Sequence, residues 1–155
     1  MMRTWIWLVL AASLMGCHNT PAHLQPGADG GIRILRHFGG GDSQLTEAVV
    51  MVINSKRQRT ALGSPAIDGI AMDFNKESLL VVAVGEKPTG GYWVRIDGVQ
   101  LYDNDLYFQG TANAPSENDI VTQALTYPWA AAVIPRVADD VTLHPEIESV
   151  AGQSR

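Results

Sequence analysis

Ser43, Ser55, Ser64 and Ser78 would be candidate nucleophiles, yet none lies in a Gly-x-Ser-x-Gly string. Gly39-Gly40-Gly41 lacks the Lys-Ser/Thr that a phosphate-cradling loop requires. Asp103 and Asp105 flank Asn104, and a calcium loop would need further oxygen ligands at regular spacing. They read as turn formers, because Asp and Asn tolerate positive φ. Asp139-Asp140 and Glu146/Glu148 read as a solvated acidic face, since nothing in the sequence places a carboxylate pair in a pocket. His18, His23, His37 and His144 are scattered and have no thiolate or carboxylate partner at ligand spacing. The nucleophile, base and orienting group of a catalytic site are therefore missing. The chain is expected to be no enzyme, to hold no metal or cofactor and to take no small-molecule substrate.

One residue does carry chemistry. Cys17 is the single cysteine, so no disulfide framework is possible within the chain. It follows Arg3 and an apolar run from Trp5 to Met15 that only Ser13 interrupts. That is a positively charged start and an apolar middle, the anatomy of a secretory signal. The run falls short of the ~20 apolar residues that span a bilayer. Leu14-Met15-Gly16-Cys17 resembles the bacterial lipobox, in which the cysteine is lipidated and becomes the new N-terminus. The resemblance implies acyl chains, palmitate among them, at Cys17 and attachment to the membrane of a bacterial cell envelope. His18, not Asp, follows the cysteine, which favours the outer membrane in a Gram-negative cell. The alternative is an ordinary signal peptide cleaved elsewhere, leaving a free thiol.

Two segments place aromatic residues beside Pro or Gly. One is Gly85-Glu86-Lys87-Pro88-Thr89-Gly90-Gly91-Tyr92-Trp93, the other Thr126-Tyr127-Pro128-Trp129-Ala130. Gly90 and Gly91 permit positive φ, and Pro88 restricts the chain before the turn. Tyr92 and Trp93 then point to opposite faces, so at most one enters a core. Trp and Tyr dominate binding energy at many interfaces. Thr89, Gly90, Tyr92, Trp93, Tyr127 and Trp129 are thus the candidate partner-binding residues. The competing reading is a hairpin end whose rings only fill the core, with both segments buried and no shared exposed patch.

The elements that would position them follow from patterning. Residues 18–31 hold two Pro and three Gly and read as a flexible tether. Ile32 to Phe38 alternates as a strand, and Glu47 to Ile53 is a β-branched run. Ser55 is placed to cap a short helix over 56–62, with Gly63 as its C′ residue. Ile70 to Phe74 reads as a short strand. Leu79 to Val84 is apolar without a break, as in a strand buried on both faces. Tyr92 onward and Leu106 to Thr111 form a hairpin about Tyr102–Asp105, with Gly98 marking a bulge. Ile120-Val121 and Thr126 to Ile134 supply the last strands, and Pro135 stops the ladder. Residues 139–155 read as an acidic tail, in which Val141–Leu143 have the pattern to add an edge strand.

Composition agrees. The chain has 155 residues, 46% hydrophobic and 17% charged, with 15 glycines and a formal net charge of −5. That supports one domain, and the charge excludes electrostatic capture of nucleic acid. An acidic domain also stands off an anionic bilayer. Seven or so short strands separated by turns predict an all-β antiparallel sandwich, immunoglobulin-like or barrel-like, with one short helix. The division is 1–17 signal, 18–31 tether, 32–138 β domain and 139–155 tail.

The string from Met72-Asp73-Phe74 through Pro88-Thr89-Gly90-Gly91-Tyr92 to Ile96, with the later Tyr127-Pro128-Trp129 to Ile134-Pro135-Arg136, resembles the PrcB C-terminal-domain family. The likeness runs from about residue 47 to about 137 by element order. It implies a non-catalytic, protease-associated domain, secreted or lipid-anchored, that binds a partner protein. A fainter resemblance is to chagasin-type cysteine-protease inhibitors. There Lys87–Tyr92 and Tyr127–Trp129 would stand for two of three inhibitory loops, implying a protease as partner. Lys87 and Tyr127 depart from that pattern, and Gly110–Asn113 is a poor middle loop. A structural envelope lipoprotein is the third reading.

Overall fold

The structure is a computed structural model that describes residues 31–152. The expected signal segment with Cys17 and the expected tether up to residue 30 lie outside the described residues. In chain order the elements are β1 (Arg36–Gly40), β2 (Ala48–Ile53), α1 (Lys56–Ala61), α2 (Pro65–Asp68), β3 (Glu77–Val84), β4 (Trp93–Tyr102), β5 (Asp105–Ala114), β6 (Trp129–Pro135) and β7 (Thr142–Ala151). A four-stranded sheet, ordered β1-β6-β3-β2, faces a three-stranded sheet, ordered β4-β5-β7. The expected all-β sandwich is what forms, with neither sheet closed into a barrel.

The four-stranded sheet is buried on both faces, which accounts for its unbroken apolar strands. Leu80, Val82, Ala130, Ala132 and Ile134 point into the core shared with Val94, Ile96, Val99, Leu106 and Phe108 of the other sheet. Leu79, Val81, Ala131 and Val133 point the other way, onto Ile67, Ile70, Met72 and Phe74. That second layer contains two short helices where one was expected. Ser55 caps α1 by accepting from the Gln58 amide, and Gly63 beyond it has φ of 71°. Ser64-Pro65, read as loop, opens α2, where Pro65 at the first turn costs no hydrogen bond. Ile70 to Phe74 form no strand; they pack as an irregular cover whose apolar side chains gave it a strand-like pattern.

β4 and β5 form the expected hairpin, with Asp103 at φ of 52° in the turn. The register shifts between Ile96 and Gly98, so the inward set passes from Val94 and Ile96 to Val99 and Leu101. Gly110 is required opposite it: a Cβ there would lie 2.7 Å from the Arg95 carbonyl oxygen.

The largest departure is at the C-terminus. Where an acidic tail was read, β7 is a ten-residue strand paired parallel to β5, from Asp105↔Thr142 to Ala114↔Ala151. Leu143 and Ile147 pack against the core, while Glu146 and Glu148 face water. The alternation was present, but its acidic outward positions masked it. Ile120-Val121 is loop, not strand, and β1 begins at Arg36, four residues later than expected, and includes Gly39 and Gly40.

Candidate functional site

The two aromatic segments meet at one end of the sandwich. The chain leaves β3 through Gly85, whose φ of 75° and close approach exclude any side chain: a Cβ would sit 2.8 Å from the Thr46 carbonyl oxygen. Lys87 and Thr126 then exchange both backbone hydrogen bonds, at 2.8 and 2.9 Å. The Thr126 hydroxyl donates to the Thr89 carbonyl at 2.8 Å, and the Gly90 amide donates to the Thr122 carbonyl at 2.8 Å. The Tyr127 hydroxyl donates to Glu86 Oε2 at 3.0 Å. That bond raises the Tyr127 pKa above its ordinary value, with partial desolvation and the charges of Glu86 and Asp42 acting in the same direction. The Tyr127 backbone is held in turn by the Gly41 carbonyl at 2.7 Å and by the Ser43 amide and hydroxyl. Two loops distant in sequence are therefore one hydrogen-bonded unit.

The expected exposed ledge of indoles is not what this unit presents. Trp93 is only 8% exposed and Trp129 only 6%. Trp129 starts β6 on the face that packs against Leu45 and Ile67, and its Nε1 would lie 3.3 Å from a Cβ on Gly40. Trp93 lies on the outer face of β4, where Arg95 stacks over its ring at 5.7 Å. Burial of these large rings removes more apolar area from water than a rim position would, and that decides their placement. Both indoles are buried, but only Trp129 fills a core layer; Trp93 is covered on the outer face of the small sheet. An inhibitory plug of the chagasin type would need the Trp129 ring to project, and it does not.

Beside the buried indoles lies a cleft of about 490 Å³. Thr126, Gly90 and Tyr92 from the predicted segments line it, together with one edge of Trp93. Tyr92 is half-buried, with the Lys87 ammonium 5.9 Å from its ring centroid. Thr89 and Tyr127 are half-buried, and neither they nor Trp129 line the cleft. The opposite lip, Asp119-Ile120-Val121, was not singled out from sequence. Ile120 is fully exposed, and Leu125 beside Thr126 is 58% exposed. The signal available was an isolated apolar pair after the turn residues Pro115–Asn118, which strand-like patterning disguised. Asp119 Oδ2 accepts from the Ser116 amide at 2.7 Å, closing that turn, and this bond holds the Asp119 pKa below the ordinary carboxylate value. Gly91, with φ of 84°, fits under the lip because a Cβ would meet Val121 at 2.9 Å and Pro115 at 3.0 Å. Among the described residues, no group of three or more His, Cys, Asp or Glu is arranged to hold a metal ion.

The two-sheet β domain thus carries paired loops that bound a cleft at one end. The model of the family described as PrcB C-terminal matches residues 78–135, from the second residue of β3 to the last of β6. The match is narrower than the resemblance read from the residues, and it contains both loops and the Ile120 lip. β1, β2, both helices and β7 lie outside it. No curated protein and no solved structure matches the chain at a significant level.

Proposed function

We propose that the chain is a lipid-anchored, non-catalytic interaction module of the bacterial envelope, docking a protein of a protease complex at the end cleft. The family match points to a protease-complex-associated domain. The observation that carries the docking reading is the cleft itself, where half-buried Tyr92 faces a lip topped by fully exposed Ile120. An uncovered aliphatic side chain beside a tyrosine-lined recess matches the chemistry of protein interfaces.

The point where the described chain begins leaves the same end free. Gly31 bridges to Gln100, and the Ile32 amide donates to the Val99 carbonyl, near the hairpin end of β4. Trp93 opens β4 at the cleft end. At ~3.3 Å per residue the two points are separated by about 23 Å. Attachment of a tether at Gly31 therefore leaves the cleft free at the other end of β4.

A photo-crosslinking residue at Ile120, in the full chain and in cells that make it, tests the reading. The expected result is one specific adduct containing an envelope protease or its subunit, lost when Tyr92→Ala is added to the folded chain. The same probe at Arg57, on α1, should give no such adduct. Equal labelling from both positions overturns the proposal. Anchoring is tested separately, by membrane fractionation and palmitate labelling of Cys17→Ala.

A further inference from the structure

Among the described residues the sandwich has four sheet edges, and three of them are blunted against further pairing. β4 carries the bulge at Ile96/Gly98 and is partly covered by the Gly31–Ile32 segment. β7 carries Pro145, Glu146 and Glu148. β1 is five residues long and holds Arg36, His37 and two glycines. These are the usual protections of an edge strand. β2 has none: its sequence is Ala-Val-Val-Met-Val-Ile, without charge, proline or glycine. It pairs with β3 on one side and ends the sheet on the other. Val50 is 37% exposed and Ala48 is exposed.

We infer that the β2 edge pairs antiparallel with β2 of a second copy of this chain, joining two four-stranded sheets into one. Charge selects this occupant and this direction. Glu47 precedes β2, and Lys56 and Arg57 follow it, all three exposed. An antiparallel two-fold arrangement brings the acidic start of each strand to the basic end of the other; a parallel one places like charges together. Like faces must stay together across the join, because a one-residue slip would turn the buried face to water. Any register in which a residue meets its own copy satisfies that condition, and those centred on Val50 or Met51 pair the most residues of the strand. Alternate backbone N–H and C=O groups along the free side of β2 would then gain partners. The pairing is independent of the end cleft, and β2 lies outside the family match.

Single cysteines at Val50, Met51 and Val52, each introduced into the whole chain, test the inference by oxidative crosslinking. The Cα separation across an antiparallel pair, ~4.5–5.5 Å, is within disulfide reach. The unsubstituted chain controls for Cys17, and Thr111→Cys, on the other sheet, controls for random collision. The expected result is a band of twice the chain mass from at least one of the three positions and from neither control. Val50→Lys should abolish that band, and Ala48→Lys serves if Val50→Lys misfolds by circular dichroism. No dimer from any of the three positions overturns the inference. So does an adduct of another mass, which would mean a foreign strand, or a dimer that survives a folded lysine variant.

Discussion

Tyr127 and Glu86, 41 positions apart in the chain, share a 3.0 Å hydrogen bond that ties one loop to the other. The phenol donates and the carboxylate accepts, so the neutral phenol is the favoured form. The Tyr127 pKa is raised first by this bond. Its contribution to stability is therefore fully present below the ordinary tyrosine pKa of ~10 and is lost as pH rises through the higher folded value. An ultraviolet titration should show one phenol ionising late, and Tyr127→Phe or Glu86→Gln should remove that late step. A titration unchanged by Tyr127→Phe would contradict the assignment.

Trp129→Ala should cost about 3–5 kcal/mol of stability in denaturant unfolding, the usual range for a buried indole. Trp93→Ala should cost less, about 2 kcal/mol, because its ring lies on the outer face of the small sheet under Arg95. An order reversed from this would mean that the outer ring, not the inner one, holds the sandwich end together.

Gly91→Ala should destabilise the domain by about 1–3 kcal/mol and push back the Pro115–Val121 lip, since its φ is 84° and its Cβ would collide with Val121. Gly98→Ala is the control, because nothing lies within 4 Å of a Cβ there. Denaturant midpoints of the two variants check the contrast.

The lip should also loosen in acid. Asp119 is held below the ordinary carboxylate range chiefly by the Ser116 amide. Its contribution is thus present at neutral pH and is lost as pH falls through its folded pKa, below about 4. Protection of the Ser116 amide, measured against its intrinsic exchange rate, should fall in that window, and Asp119→Asn should flatten the response. Equal pH profiles for the two chains would refute the role given to the carboxylate.

Much of this was legible in the residues. Leu79 to Val84 announced a strand covered on both faces, Ser55 and Gly63 bracketed a helix, and Gly98 marked the register shift. The meeting of the two aromatic segments was legible only as a resemblance, because the Lys87–Thr126 pairing is long-range and leaves no local pattern. The depth of the two indoles was not legible. Whether a ring beside a glycine turn is rim or core depends on what the other layer places over it. Of the Thr142–Ala151 strand only its start was anticipated, in the edge-strand pattern of Val141–Leu143; beyond that its outward residues are carboxylates, and composition outweighed alternation.

The parallel seating of the last strand sets an order of events. A chain emerging N-terminus first can complete the hairpin and the large sheet while β5 still lacks its second neighbour. That neighbour arrives only after β6 is complete, so closure of the small sheet waits for residues 142–151 to emerge. A nascent chain stalled before residue 142 would present an open hydrogen-bonding edge to the chaperones and proteases around it.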